Sequence, residues 1–500
     1  MSTLAASGSV IQSVDWIAIA PPTITAVAAL VVLVADLFLS DRRKPLLGRL
    51  TIGGLLLAGL SLLPLTDGDR TTFCLTTSPR DCSYVADHFT LVIQLLVIGG
   101  ALLTALLSMH TMDELPAGEY WFLLLSAVAG AALLPASRDL ATLVVALEVA
   151  TLPTFALVGI RRGDRLSSEA ALKFFLSSVA ATAVTLLGVS FIYAATGTLH
   201  LTAIAHALPG VDPQLTTLAK AGAALTLVGF AFKLAAAPFH FWVPDTYVGA
   251  PLPVAAYLSV VGKAVGFSGL ILVTVVAFKP YDAIWGPAAA ALAALTMTVG
   301  NVAALRQRPD APHSAVRLLA WSSIGQAGYL LVPIAASAYS ATDHIGTTVA
   351  YALMYAAVNL GAFAVAALVS RTYKANRLTD YRGLYTTRPL AALSLAFFLL
   401  CLAGLPPGII GLFAKVAVFS SAVDAGLGWL AVLMAVNVVI ALVYYLRWTA
   451  LLFVRPEGES APATRTPAPL AAAIAVAAAI AVALSGAPQL VLRFAAASLL

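Results

Sequence analysis

Charge is scarce in this sequence. Asp, Glu, Lys and Arg together make up 10% of 500 residues, whereas a soluble domain carries about 25%. Too few charges remain to coat a soluble fold of this length, which excludes a cytosolic enzyme and a disordered chain alike. Cysteine is nearly absent as well. Cys74, Cys82 and Cys401 are the only three, too few for a disulfide-stapled secreted scaffold. There is no dinucleotide fingerprint, Walker loop or CxxC pair, so nothing points to a nucleotide, an iron–sulfur cluster or a zinc ion on this chain. The opening MSTLAASGSVIQSVDW has no basic segment and no small-residue cut before the first apolar run. No cleaved signal is expected.

Apolar sequence is abundant: 61% of residues are hydrophobic, and apolar runs recur from end to end. A helix needs about 20 such residues to cross a bilayer, while a barrel strand needs about ten that alternate in polarity. The runs fit helices. Spans are expected at 15–38, 48–65, 89–109, 119–136, 139–160, 168–195, 216–238, 251–278, 284–305, 313–336, 345–370, 391–420, 427–454 and 468–494. The fold class is therefore an all-α polytopic membrane protein with about fourteen transmembrane helices. If the N-terminus is outside, the cytoplasmic loops carry eighteen Lys and Arg, and the opposite loops and tail carry Arg70, Arg80, Arg138, Lys279 and Arg493. That bias places both termini on the outer, periplasmic side. It also puts Cys74 and Cys82 in an outward loop, where a disulfide and two ordinary free thiols are both open readings.

A few ionisable residues fall inside the apolar spans. Lys220 is near enough to a span end to snorkel. Lys173, Lys233, Lys263 and Lys415 lie deeper, and Glu148 is the one central carboxylate. A charge at mid-bilayer costs roughly 2.5–3.5 kcal/mol. One ion pair would suffice as interhelical glue, yet there are five such residues. Lysine can lose and regain a proton where arginine cannot, so the pattern points to a proton path in which movement of Glu148 toward or away from a lysine shifts a proton affinity.

Two spans are interrupted. The seventh reads GFAFKLAAAPFHFWVPDTYVGAP, with Pro238 five residues after Lys233. The twelfth reads CLAGLPPGIIGLFAKVAVF, with Pro406 and Pro407 just before Lys415. Proline inside a helix removes a hydrogen bond, and such breaks at membrane depth mark buried or hydrated backbone. Their spacing suggests two inverted five-helix repeats. The expected organisation is a single membrane domain: helices 1–3 in 15–118, a first repeat (helices 4–8) in 119–283, a second (helices 9–13) in 284–455, and a last helix in 456–500. His240 and Asp245 fall near the cytoplasmic mouth of the seventh span. Gln326 and Tyr329, with Ser322, Ser323, Tyr351 and Asn359, either carry a water wire or serve as interhelical hydrogen bonds.

These motifs are familiar. KLAAAPFHFWVPDTYVGAPLPVAAYLSVVGKAVGF, WSSIGQAGYLL and AGLPPGIIGLFAKVAVF resemble, in order, segments of the antiporter-like proton-pumping subunits of NADH–quinone oxidoreductase (respiratory complex I). The resemblance spans nearly the whole chain. It implies that Glu148 matches the essential carboxylate of the fifth helix, Lys173 the lysine of the sixth, Lys233 that of broken helix seven, Lys263 that of the eighth and Lys415 that of broken helix twelve. On that footing Glu148 and Lys233 would form the switching pair, with Lys173 modulating Lys233 and Lys263 passing protons on toward Lys415. The chain lacks the lateral helix of the longest paralogues, and it carries Lys415 where another type has an acid. Gln326 stands where many relatives have His, and Val248 where many carry an acid. The resemblance also implies a translocase subunit of a bacterial plasma-membrane complex. NADH, FMN, iron–sulfur clusters and quinone would be held by other subunits, with no cofactor and no metal on this one. Its partners would be other membrane subunits, further antiporter-like chains among them, the peripheral NADH-oxidising arm and the lipid bilayer, with no nucleic acid. A multi-subunit Mrp-type cation/proton antiporter is the alternative.

Overall fold

Short polar residues at the loop–span junctions set where helices begin. The carboxylate of Asp87 accepts from the Thr90 amide, that of Asp139 from Thr142 and that of Asp164 from Leu166, at the starts of the third, fifth and sixth spans. Each satisfies amides that a first helical turn otherwise leaves unpaired. The sixth span ends at Gly197, whose φ of 72° closes the helix in the left-handed conformation. The computed structural model describes residues 14–76, 78, 81–112, 115–340, 344–455, 465–495 and 499–500. Arg80, counted above among the outward charges, lies outside the described residues. So do 456–464 and 496–498 of the expected C-terminal unit, and 1–13 of the opening segment.

Among the described residues, 13 helices are long and apolar enough to cross a membrane. The expected fourteenth crossing is the interrupted twelfth span. Its halves, Pro389–Ala403 and Ile409–Asp424, are each too short to cross alone. The seventh span also breaks, into Thr216–Leu234 and the short helix Val243–Gly249. A cis X–Pro bond lies in each break, at Ala237–Pro238 and Pro406–Pro407. The tenth span, Ser314–Ala336, and the eleventh, Ile345–Ser370, are almost wholly buried. The first, Ala20–Phe38, the sixth, Arg165–Thr196, and the fourteenth, Ala468–Gly486, face mostly outward. Large apolar side chains such as Leu172, Leu176 and Leu187 remain exposed on the sixth span. That pattern suits helices on the rim of a membrane bundle, where the surroundings are as apolar as the core. The ninth span, Lys279–Leu305, packs along the tenth, and the sixth along the seventh.

The polar loop after the second span forms a hairpin. Strand β1, Arg70–Cys74, pairs antiparallel with β2, Cys82–Ala86, and places Cys74 opposite Cys82. The two sulfurs are bonded as a disulfide, which settles the two open readings. Cys401 is free and buried. Alkylation of the denatured chain without reductant should therefore label one cysteine, and with reductant three. Mass spectrometry showing three labels without reductant would refute the bridge.

Candidate functional site

The buried lysines meet the broken helices at their open ends. A helix that stops inside the membrane leaves its last carbonyls without partners, and they carry roughly half a negative charge. On the eighth span, Leu252–Ala277, Lys263 donates through Nζ to the carbonyl of Leu234, 3.1 Å away, at the terminus of the first half of the seventh span. Lys415 donates to the carbonyls of Leu402 and Ala403, both at 2.7 Å, at the terminus of the first half of the twelfth. Both lysines are buried, 2% and 3% exposed. The two sites repeat one chemistry: an ammonium capping a severed helix.

A glycine one turn from each lysine allows the approach. A Cβ on Gly266 would lie 2.5 Å from the Leu234 amide nitrogen, and one on Gly411 would lie 1.8 Å from the Cys401 carbonyl oxygen. Both contacts are with backbone, which cannot rotate away.

Lys233 is held differently. It is buried at the end of Thr216–Leu234. Its amine lies 3.5 Å from the Ser178 hydroxyl and over the rings of Phe174 and Phe155, 5.1 and 5.7 Å from their centroids. Trp242, from the second half of the span, stacks on Phe174 at 4.4 Å and donates its indole N–H to the Phe232 carbonyl. The aromatic wall thus joins both halves of the seventh span to the sixth.

One expectation needs correcting in its geometry, the depth of Lys173. Glu148 forms no ion pair with Lys233 in this arrangement. It is half-buried and accepts a hydrogen bond from Thr182 on the sixth span at 2.6 Å. Lys173 is not buried beside Lys233. It is exposed and pairs with Glu169 at 2.7 Å and Asp245 at 2.9 Å, while Arg317 reaches the same Asp245 at 3.4 Å. The reason is helical phase. Residues 169 and 173 share a face, and that face of the sixth span looks outward, two turns above Arg165. His240 sits half-buried in the seventh-span break, its ring 5.6 Å from that of Trp321.

Between Lys263 and Lys415 the core is polar. Gln326 accepts from the Tyr351 hydroxyl and donates to that of Tyr445 at 3.1 Å, and Tyr445 shares a 2.6 Å bond with Ser322. Asn301 donates to Asn437 at 3.1 Å and accepts from Tyr444 at 3.0 Å. Tyr329 presents its ring 5.7 Å below the Lys415 amine. Asn359 donates to Ser259 at 2.7 Å, and Tyr355 to Ser323 at 2.9 Å. Sequence reasoning had singled out the tenth- and eleventh-span members. It missed Asn301, Asn437, Tyr444 and Tyr445, whose signal was polarity within otherwise apolar spans. Among the described residues no group of three or more His, Cys, Asp or Glu is placed to hold a metal ion.

A helical membrane bundle with two severed spans, each capped by a buried lysine, defines the antiporter-like class of membrane subunits. The family described as NADH:quinone oxidoreductase/Mrp antiporter, TM, matches residues 137–441. The chain is 72% identical to NADH-quinone oxidoreductase subunit N 2 of Streptomyces griseus, over 98% of this chain and 95% of that one. It superposes on a chain of respiratory complex I from Thermus thermophilus, solved with bound aureothin, with a TM-score of 0.77 at 33% identity, covering 96% of this chain and all of the other. A chain of the Mrp complex from Dietzia sp. superposes with a TM-score of 0.80 at 21% identity, over 95% and 96% of the two chains. That likeness is one of fold alone. The chain belongs to the subunit N family of NADH-quinone oxidoreductases.

The glycine contacts make a specific prediction. Gly266→Ala and Gly411→Ala should each destabilise the protein by about 1–3 kcal/mol through overpacking, and should push the neighbouring lysine off its carbonyls. Thermal unfolding of the purified complex, compared with Gly53→Ala, where an added Cβ meets nothing within 4 Å, checks this. Equal melting temperatures for all three variants would contradict it.

Proposed function

We propose that this chain is a proton-translocating membrane subunit of NADH–quinone oxidoreductase, driven by electron transfer on other subunits, and that Glu148, Lys173, Lys233, Lys263 and Lys415 carry the translocation. The observation behind this reading is the set of three buried amines, Lys233, Lys263 and Lys415, in one bundle that also buries several hydrogen-bonded hydroxyls and amides. A purely structural pair would need neither the third lysine nor the polar core.

In this reading Glu148 and Lys233 are a pair that is open in the present arrangement. Two unit charges 4 Å apart attract by about 4 kcal/mol at an effective dielectric of 20, and by about half that at 8 Å. Movement of a few ångströms between the fifth and seventh spans therefore changes the energy of the charged lysine by roughly 2 kcal/mol. That matches the roughly 2.3 kcal/mol needed to move one charge against 100 mV. Lys263 and Lys415 then receive and release the proton across the centre. Lys173, tied to Asp245 on the second half of the broken seventh span, acts on Lys233 by tethering that half-helix. His240, Gln326 and Tyr329 would line the path. Spans four to eight and nine to thirteen are proposed as the two inverted repeats.

The orientation with both termini on the outer face of a bacterial plasma membrane rests on the loop charges. It is supported by a cleft of about 560 Å³ at which Arg161, Arg371, Lys374 and His313 come together from three separate loops. Burial, then Arg317 and Arg161, hold the His313 imidazole below its ordinary range, so the charge of this face comes from the lysine and arginines. The redox cofactors and quinone are assigned to partner subunits, together with the peripheral arm and further antiporter-like chains. An Mrp-type assembly remains the second reading, on the shared fold.

Lys233→Ala and Glu148→Ala in the assembled complex should each lower proton pumping by roughly an order of magnitude or more. NADH-driven acidification of inverted membrane vesicles measures this. Normal pumping by both variants would remove the mechanism. Copurification of a tagged chain with sodium/proton antiport subunits, and without an NADH-oxidising arm, would favour the Mrp reading.

A further inference from the structure

One buried hydroxyl stands outside the polar network already described. Tyr257 is 2% exposed on the eighth span, immediately before the wide π-helical turn Leu258–Gly262 that leads into Lys263. Among the described residues its hydroxyl has no hydrogen-bond partner. A buried hydroxyl left unpaired costs roughly 1–3 kcal/mol. The same side chain lines a cavity of about 20 Å³ together with Lys233, Thr151, Thr154 and Gly262. Room for one water takes roughly 10–15 Å³, with two to four polar partners around it. The cavity supplies them. Lys233 offers N–H donors. Tyr257 can both donate and accept. The Thr154 hydroxyl spends its proton on the Thr151 carbonyl at 2.6 Å and keeps its lone pairs.

We propose that a single water bound between Lys233 and Tyr257 makes Tyr257 a positioning residue for the proton exchange of Lys233. This rests on the reading of Lys233 as a proton carrier. While Lys233 is charged, the water accepts from its ammonium and donates to the Tyr257 oxygen. Once Lys233 is neutral, the amine accepts from the water and the Tyr257 hydroxyl turns to donate to it. The water and the tyrosine are unchanged by either arrangement, and no phenolate is formed.

The test uses the whole complex in inverted membrane vesicles. Tyr257→Phe keeps the ring and removes only the oxygen. We expect NADH–ferricyanide reduction, which reports assembled complex, to stay unchanged, while NADH-driven proton uptake falls at least about threefold. Lys233→Ala is measured beside it. If Tyr257→Phe pumps like the wild type and Lys233→Ala does not, the positioning role of Tyr257 is overturned and the wider mechanism stands. If Lys233→Ala also pumps normally, both fall. A second measurement needs no variant: a high-resolution cryo-EM map of the unmodified complex should show a water within hydrogen-bond distance of both Lys233 Nζ and Tyr257 Oη. A map that resolves neighbouring waters but none there overturns the proposal.

Discussion

The bundle depends on one recurring interaction, an ammonium group set on the open carbonyls of a helix cut short inside the membrane. Each half of that interaction is unfavourable alone. A lysine at mid-bilayer costs roughly 2.5–3.5 kcal/mol, and each backbone group unsatisfied in lipid costs several. Brought together, the donors of Lys263 meet the carbonyl of Leu234, and those of Lys415 meet Leu402 and Ala403. The severed helix and the buried charge thus account for each other. This explains why the chain breaks at two places and why a lysine stands at both. Two glycines stand at the same crossings: backbones nearly touch at Gly266 and Gly411, one turn from each lysine.

Lys233 departs from that rule. It caps no foreign carbonyl. Its neighbours are two aromatic faces and one hydroxyl at 3.5 Å. A cation on an aromatic face gains about 0.5–2 kcal/mol, less than charge-assisted hydrogen bonds to a helix end. Of the three buried amines it is the most loosely held, and it is the one with a small cavity at its side. It also sits on the first half of the broken seventh span, two residues from the break between Leu234 and Val243, whereas Lys415 sits on the second half of its broken span and Lys263 on a neighbouring helix. Any displacement of the short helix Val243–Gly249 acts on it through Trp242 and Phe174.

Much of this arrangement was legible in the sequence, because membranes penalise exceptions. Fourteen crossings, two breaks and the lysines beside them follow from run length, proline and the scarcity of charge. The depth of Lys173 was not legible by the same subtraction. Its span is 32 residues long, so being inside the span does not mean being inside the bundle, and only Glu169 four residues earlier hinted at an outward face. Glu148 and Lys233 were paired by sign and by the family resemblance; which hydroxyl holds the carboxylate in this arrangement, Thr182 on the sixth span 34 residues on, was not legible. Tyr444 and Tyr445 were not singled out, although both lie inside the thirteenth span. Their role as partners of Asn301 and Ser322, at separations of 143 and 123 residues, depends on how the ninth, tenth and thirteenth spans pack. The two critical glycines were hidden among 35.

The glutamine at position 326 then takes on a physical sense. An amide does not take up a proton at physiological pH, so Gln326 stores no charge. It accepts from Tyr351 and donates to Tyr445 at once, and so fixes the direction of two hydroxyls. The centre of the bundle is accordingly built from groups that orient hydrogen bonds, with charge confined to the amines on either side. A proton held at the centre would pay the full cost of an unpaired charge in a low-dielectric interior. One that passes between amines along oriented hydroxyls pays it only in transit. In the proposed reading, the amines of Lys233, Lys263 and Lys415 carry the charge, and the neutral hydroxyls and amides orient the hydrogen bonds between groups.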